Sequence, residues 1–184
     1  MFEKLYSKKF DVILADPPWE YSAWQDAPKK WRGIAASTHY ETMKLEDIKN
    51  LPVQTLCKED CTLFLWATCP NIPFALEVIK AWGFTYKTVA FVWIKENRKS
   101  KGLFLGCGHY TRANAELCLL ATKGHPKKMS SSVRQVIMSP VREHSRKPDE
   151  QYDRIGQLFS GDKLELFARY QRGDWFSWGK EVKG

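Results

Sequence analysis

The chain has 184 residues, enough for one domain that buries about 70% of the surface its unfolded form exposes, so it needs no disulfide or metal staple. With 43% hydrophobic residues, including eight Trp, seven Tyr and ten Phe, it is a globular protein rich in aromatics. Neither a membrane span nor a secretion signal is expected, which points to the cytoplasm, and the net charge of +8 favours a polyanionic partner over mere solubility.

The run Val12-Ile13-Leu14-Ala15 reads as a short buried strand, because four consecutive apolar residues before a breaker cannot alternate between core and water. Asp16 therefore stands at a strand's carboxyl end, where open parallel sheets hold their ligands. Pro17 and Pro18 stiffen the exit and offer carbonyl acceptors expected to have no competing donors, and Trp19 adds a flat face. A carboxylate, a fixed carbonyl and an aromatic plate suit a planar group bearing an NH2. Asp-Pro-Pro also ends strands for purely structural reasons, so local chemistry leaves both possibilities open.

Residues 17 to 40 are too long and polar for an ordinary connection. A short helix follows at 45 to 51, then a strand over "CTLFLWAT" at 61 to 68. "PFALEVIKAWG" has helical spacing and ends in Gly83 as a C-cap, while "TYKTVAFVWIK" (85 to 95) is β-branched and aromatic and reads as a strand. "AELCLLATKG" (115 to 124) is another buried strand. "KPDEQYDRIGQLF" is a helix with Tyr152, Ile155, Leu158 and Phe159 on one face, and "KLELFAR" (163 to 169) closes the sheet. Strands alternating with helices give a three-layer α/β domain over 1–184 with no internal boundary. Loops 97 to 112 and 123 to 147 are rich in Lys, Arg, Gly and Ser and, with 20 to 40, are expected to be mobile; the two basic ones suit phosphate contact or simple solvation.

Five cysteines, at 57, 61, 69, 107 and 118, indicate free thiols. A zinc site from Cys57, Cys61 and Cys69 with His39 or His109 lacks a C-x-x-C pair, so no metal is expected. No P-loop, dinucleotide fingerprint, Ser-His-Asp order or H-E-x-x-H occurs, which removes most hydrolase chemistry and leaves group transfer to a nucleobase amine.

The motifs "ADPPW" (15 to 19), "HYETM" (39 to 43), "LFLWAT" (63 to 68), "NAELCLLATKGHP" (114 to 126), "REHSRKPDE" (142 to 150) and "LELFAR" followed by Trp178-Gly179 resemble, in that order, the MT-A70 family of S-adenosylmethionine-dependent adenine N6-methyltransferases. The resemblance spans almost the whole chain. It implies a Rossmann-like α/β fold with a mostly parallel sheet flanked by helices and a permuted motif order.

It also implies roles. Asp16 and the Pro17 carbonyl would accept the two N–H bonds of the adenine amine, with Pro18 and Trp19 completing the catalytic motif and Trp19 bordering the base. Two acceptors outside the ring plane favour a pyramidal nitrogen whose lone pair can attack; a carboxylate of ordinary pKa near ~3.9 is no base for neutral adenine. Cofactor contacts would come from Asp16, Lys147, Arg169, Tyr170, Gln171, Arg172, Lys180 and Glu181, and acceptor contacts from Trp19, Tyr40, Arg112, Asn114, Glu116, Lys127, Lys128 and Arg134. Glu116 would alternatively pair with a cation such as Arg112. Trp66 is expected in the core. Lys180 stands where the family commonly has Asn, and the upstream strand that longer members use for adenosine contacts is not expected in this chain. The implied partner is nucleic acid, DNA ahead of RNA, with a homodimer or heterodimer as options and no membrane. A non-catalytic nucleic-acid-binding paralogue supporting a partner subunit is the alternative.

Overall fold

The computed structural model describes residues 7–20, 42–106, 108, 110–143, 146–180 and 182. Its centre is a sheet with the order β5-β3-β4-β2-β1-β6-β7, made of β1 (Phe10–Ala15), β2 (Cys57–Ala67), β3 (Thr85–Glu96), β4 (Ala115–Lys123), β5 (Val136–Pro140), β6 (Lys163–Leu166) and β7 (Trp175–Trp178). The helices are α1 (Leu45–Lys49), α2 (Ile72–Ala81) and α3 (Glu150–Leu158). This is the Rossmann-like, mostly parallel arrangement the motifs imply.

Period-two alternation explains why both faces of the sheet are covered. Ile13 and Ala15 of β1 join Leu63 and Leu65 of β2 in a core closed by Ile48 of α1 and Ala75, Val78 and Ile79 of α2. Val12 and Leu14 point the other way, with Phe64, Trp66, Phe91 and Trp93, into a second core closed by Ile155 of α3. Gly83, at φ 78°, stops α2 in the left-handed conformation expected of its C-cap.

All five strands expected from the sequence form, and two more appear. β5 lies inside the segment read as a basic loop; at the sheet edge it buries Ile137 and exposes Val136 and Met138, leaving too few apolar residues for a pattern. β7 has four residues, at the opposite edge.

One strand has a direction that the apolar pattern does not encode. β4 is antiparallel to β2 and β3, whereas β1–β2, β1–β6, β6–β7 and β3–β5 are parallel pairs. β4 therefore begins at the edge where the other strands end. Glu116 is brought beside the exit of β1, and Lys123 is delivered to the opposite edge, against Cys61 near the start of β2.

Candidate active site at the carboxyl edge of the sheet

Four charged side chains of alternating sign meet where β1 ends. Asp16 leaves β1, and its carboxylate accepts a hydrogen bond from the Lys147 ammonium at 2.7 Å. Lys147 also pairs with Glu116 of β4 at 3.2 Å, and Glu116 accepts a second ammonium, from Lys95 of β3. The side chains of Lys147 and Glu116 are only 8% and 5% exposed, so each charge depends on the others for compensation. Burial pushes the Asp16 carboxyl above its ordinary value despite Lys147. Burial acts in the same direction on Glu116, but Lys147 and Lys95 together outweigh it and hold this carboxyl low. On Lys147 burial is overcome by the two carboxylates, which raise the ammonium. Trp66 is buried beneath this group, as expected of a core residue; its indole donates to Gln151 at 2.6 Å and lies 5.7 Å below the Lys147 ammonium.

The carboxylate of Asp16 opens into a cleft whose walls come from the start of α3 and the segment after β6. On one side Asp149 gathers Arg142 at 2.6 Å, Arg146 at 3.3 Å and Arg172. Burial would raise the Asp149 carboxyl, yet the hydrogen bond from Arg142 and the neighbouring guanidinium charges hold it below its usual range. On the other side Tyr152 donates to Glu165 at 2.9 Å, with Arg172 4.0 Å over the tyrosine ring. Burial raises Glu165 to about 7, against the Tyr152 hydrogen bond and with help from the Asp16 charge. Phe167, directly after β6, takes φ 63°, a left-handed conformation rare for an aromatic residue, and turns the chain so that Arg169 and Tyr170 also line the cleft.

The structure thus gathers Asp16, Lys147, Arg169, Tyr170 and Arg172 around one cleft and Glu116 directly behind it. Arg146, Asp149, Tyr152 and Glu165 line it too, though the sequence marks none of them as a site residue and places Tyr152 only on the packed face of the helix. Other expected site residues lie elsewhere. Gln171 donates its amide to the Trp175 carbonyl at 2.8 Å and holds the β7 entry. Lys180 is exposed, and Tyr40 and Glu181 lie outside the described residues. Asn114 is half-buried at the entrance to β4, and Arg112 is exposed on the preceding loop; Glu116 takes lysines rather than Arg112 as partners.

Two details of the motif differ from expectation. The Pro17 carbonyl already accepts the Trp19 N–H at 2.8 Å and the Pro18 carbonyl accepts the Met43 N–H at 2.8 Å, so their acceptors do have competing donors. A carbonyl has two lone pairs, which leaves Pro17 capacity for one more N–H. Trp19 is 7% exposed, packed in the α1/α2 core with its indole donating to the Trp66 carbonyl at 3.1 Å; the ring offers little of the flat face read from the sequence. Lys127 and Lys128 are displaced furthest. They follow the reversed strand β4 past His125, whose N–H is held by Asp60 near the start of β2, so they sit at the opposite edge of the sheet from Asp16. Arg134 is different: Val136 pairs with Val92, so Arg134 lies beside the middle of β3 at about the height of the β1 exit, but four strand positions to the side.

A Rossmann-like sheet with an acid-bearing cleft at its carboxyl edge places the protein among the α/β proteins that bind ligands at their strand ends. The MT-A70 family model matches residues 10–181, and the chain belongs to that family, the adenine N6-methyltransferases. It is 36% identical to the Type II methyltransferase M.MunI of Mycoplasma sp, over 99% of this chain and 82% of that protein. It is 33% identical to the N(6)-adenosine-methyltransferase MT-A70-like protein of Arabidopsis thaliana and 30% identical to the N(6)-adenosine-methyltransferase catalytic subunit METTL3 of Homo sapiens. Over 95% and 96% of this chain, these matches cover 24% and 29% of those longer proteins. Among the described residues no helix is long and apolar enough to cross a membrane.

Proposed function

We propose that the chain transfers a methyl group from S-adenosylmethionine to the N6 amine of adenine in nucleic acid, with DNA ahead of RNA. The observation that carries this reading is Asp16: a carboxylate at a strand exit, backed by a buried lysine and open to a cleft of mixed charge. The donor set suits the cofactor's zwitterionic end, since Arg169, Arg172 and Lys147 can meet a carboxylate while Asp16 and Glu165 can meet an ammonium. Bound there, the cofactor supplies an electrophilic methyl on a sulfonium sulfur. The protein's part is placement. Asp16 and the remaining lone pair of the Pro17 carbonyl hold the two N–H groups, leaving the nitrogen lone pair aimed at the methyl. Asp16 would stabilise the positive charge that develops on nitrogen as it accepts the methyl released from the sulfonium, and the excess proton would leave to solvent. DNA is placed ahead of RNA on the higher identity to the Type II methyltransferase M.MunI, 36%, than to METTL3, 30%.

The test is incubation with labelled S-adenosylmethionine and either DNA or RNA, followed by digestion and identification of the modified nucleoside. N6-methyladenine from wild type is expected. Asp16→Ala should cut the rate at least about 100-fold, the scale for removing a preorganised transition-state interaction. Unlabelled nucleic acid from wild type, with no cofactor binding by calorimetry, would favour the non-catalytic alternative. Asp16→Ala activity within a few-fold of wild type would remove Asp16 from the chemistry.

A further inference from the structure

Two carboxylates, Asp16 and Glu116, converge on the same ammonium of Lys147. Each raises the other's cost of ionisation, and one cation cannot fully compensate both in a place where Lys147 and Glu116 are almost out of water. The second cation comes from a different strand. Lys95 lies near the end of β3, its side chain 17% exposed, and pairs with Glu116 from the side away from Lys147; its own backbone N–H is fixed by the Asn114 carbonyl at 2.8 Å. Lys95 does not reach Asp16. Its influence must pass through Glu116.

We propose that Lys95 is a positioning residue for methyl transfer: by compensating Glu116 it leaves the Lys147 ammonium to Asp16, and so keeps Asp16 an ionised acceptor at neutral pH. This rests on the reading of Asp16 as the residue that holds the adenine amine. The groups facing Asp16 are Lys147 from the segment before α3, Glu116 and the Cys118 thiol from β4, Arg169 from the segment after β6, and Glu165 from β6. Of these, Lys147 and Glu116 touch each other, and Lys95 is the only other lysine that pairs with Glu116 among the described residues. Without Lys95, the uncompensated Glu116 draws Lys147 toward itself. Asp16 then gains a proton at a higher pH and ceases to be a charged acceptor.

The experiment uses the full chain with S-adenosylmethionine and an adenine-containing oligonucleotide, comparing wild type with Lys95→Met, Lys95→Arg and the double variant Lys95→Met/Glu116→Gln. Two quantities are followed from mildly acidic to mildly alkaline pH: kcat and KM, and the titration midpoint of the Asp16 carboxyl carbon by NMR. Lys95→Met should shift both the acid limb of kcat and the Asp16 midpoint upward by roughly half a unit, below the ~1–3 units of a charge in direct contact because Lys95 acts through Glu116, with activity recovering at alkaline pH. Lys95→Arg keeps the charge and should keep the limb near wild type. In the double variant the midpoint should fall back to wild type or below, because Glu116 no longer competes for Lys147; this comparison stands even if Lys95→Met is poorly folded. An unmoved Asp16 midpoint in Lys95→Met and the double variant alike overturns the inference. So does a rise in nucleic-acid KM with an unmoved acid limb, which makes Lys95 a phosphate contact. A shifted midpoint in a wild-type background that methylates nothing would leave the charge coupling standing and remove the proposed function instead.

Discussion

At the scale of single residues, the cleft holds a carboxyl whose proton affinity is unlike that of its unfolded form. Folded Glu165 keeps its proton up to about pH 7, whereas the unfolded side chain releases it near 4.5. Between those values the folded chain binds more protons than the unfolded one, so stability contributed by this group is present at low pH and lost as pH rises through 7. Glu165→Gln retains an acceptor for the Tyr152 hydroxyl and removes the titration. Without cofactor, it should raise unfolding stability by about 1–2 kcal/mol near pH 8, allowing for solvent in the cleft, and change little near pH 5. Denaturant midpoints at the two pH values decide it; an equal shift at both means the effect is packing, not protonation. Asp16 was legible in the sequence because strand, breaker and motif coincide in five residues. Lys95, Asp149 and Glu165 were not, since each owes its role to partners far along the chain and nothing local distinguishes a paired charge from a solvated one.

At the scale of elements, the Trp178-Gly179 pair shows how a motif can be structural and still serve the site. Ala168 donates its N–H to the Trp178 carbonyl at 2.9 Å, tying the end of β7 to the turn that follows β6. A Cβ on Gly179 would lie 2.0 Å from the Ala168 carbonyl oxygen, a clash with backbone that no rotamer relieves. Gly179→Ala must therefore push away the segment that carries Arg169 into the cleft. A loss of about 1–3 kcal/mol in urea unfolding is expected, the usual cost of overpacking, together with weaker S-adenosylmethionine binding by calorimetry. Normal affinity in a destabilised variant would mean that Arg169 does not depend on this packing. Long elements were readable because burial on one face leaves a period, as in α2, and burial on both leaves an unbroken apolar run, as in β2. β5 and β7 were not, because edge strands of five and four residues bury too few side chains to leave one.

At the scale of the whole molecule, the direction of β4 decides which part of the +8 charge can meet a substrate at Asp16. An apolar run is the same string whether its strand runs up or down, so sequence placed the loops on both sides of β4 around the site. In the fold, residues 123 to 147 reach the carboxyl edge only with the part after β5, where Arg142, Arg146 and Lys147 are paired in the cleft; the segment between β3 and β4 emerges there at both ends. It carries Arg98, Lys99, Lys101 and Arg112, all exposed, and its two ends adjoin Lys95 and Glu116. Lys127 and Lys128 lie across the sheet, roughly a strand's length away, ~20 Å for six residues, and Arg134 lies four strand spacings to the side, also ~20 Å. That exceeds the screening length of about 8 Å at physiological salt, so their field at the site is weak. A duplex target must also expose its adenine by flipping, which favours phosphate contacts close to the extruded base. Replacing Arg98, Lys99, Lys101 and Arg112 by Gln should therefore weaken nucleic-acid binding and flatten its salt dependence by up to ~0.9 log units for each phosphate no longer neutralised. Replacing Lys127, Lys128 and Arg134 should change the slope by much less, and cofactor affinity should hold in both. An equal flattening of the slope in the two variants, measured by fluorescence anisotropy across a salt series, would mean that nucleic acid wraps both edges of the sheet.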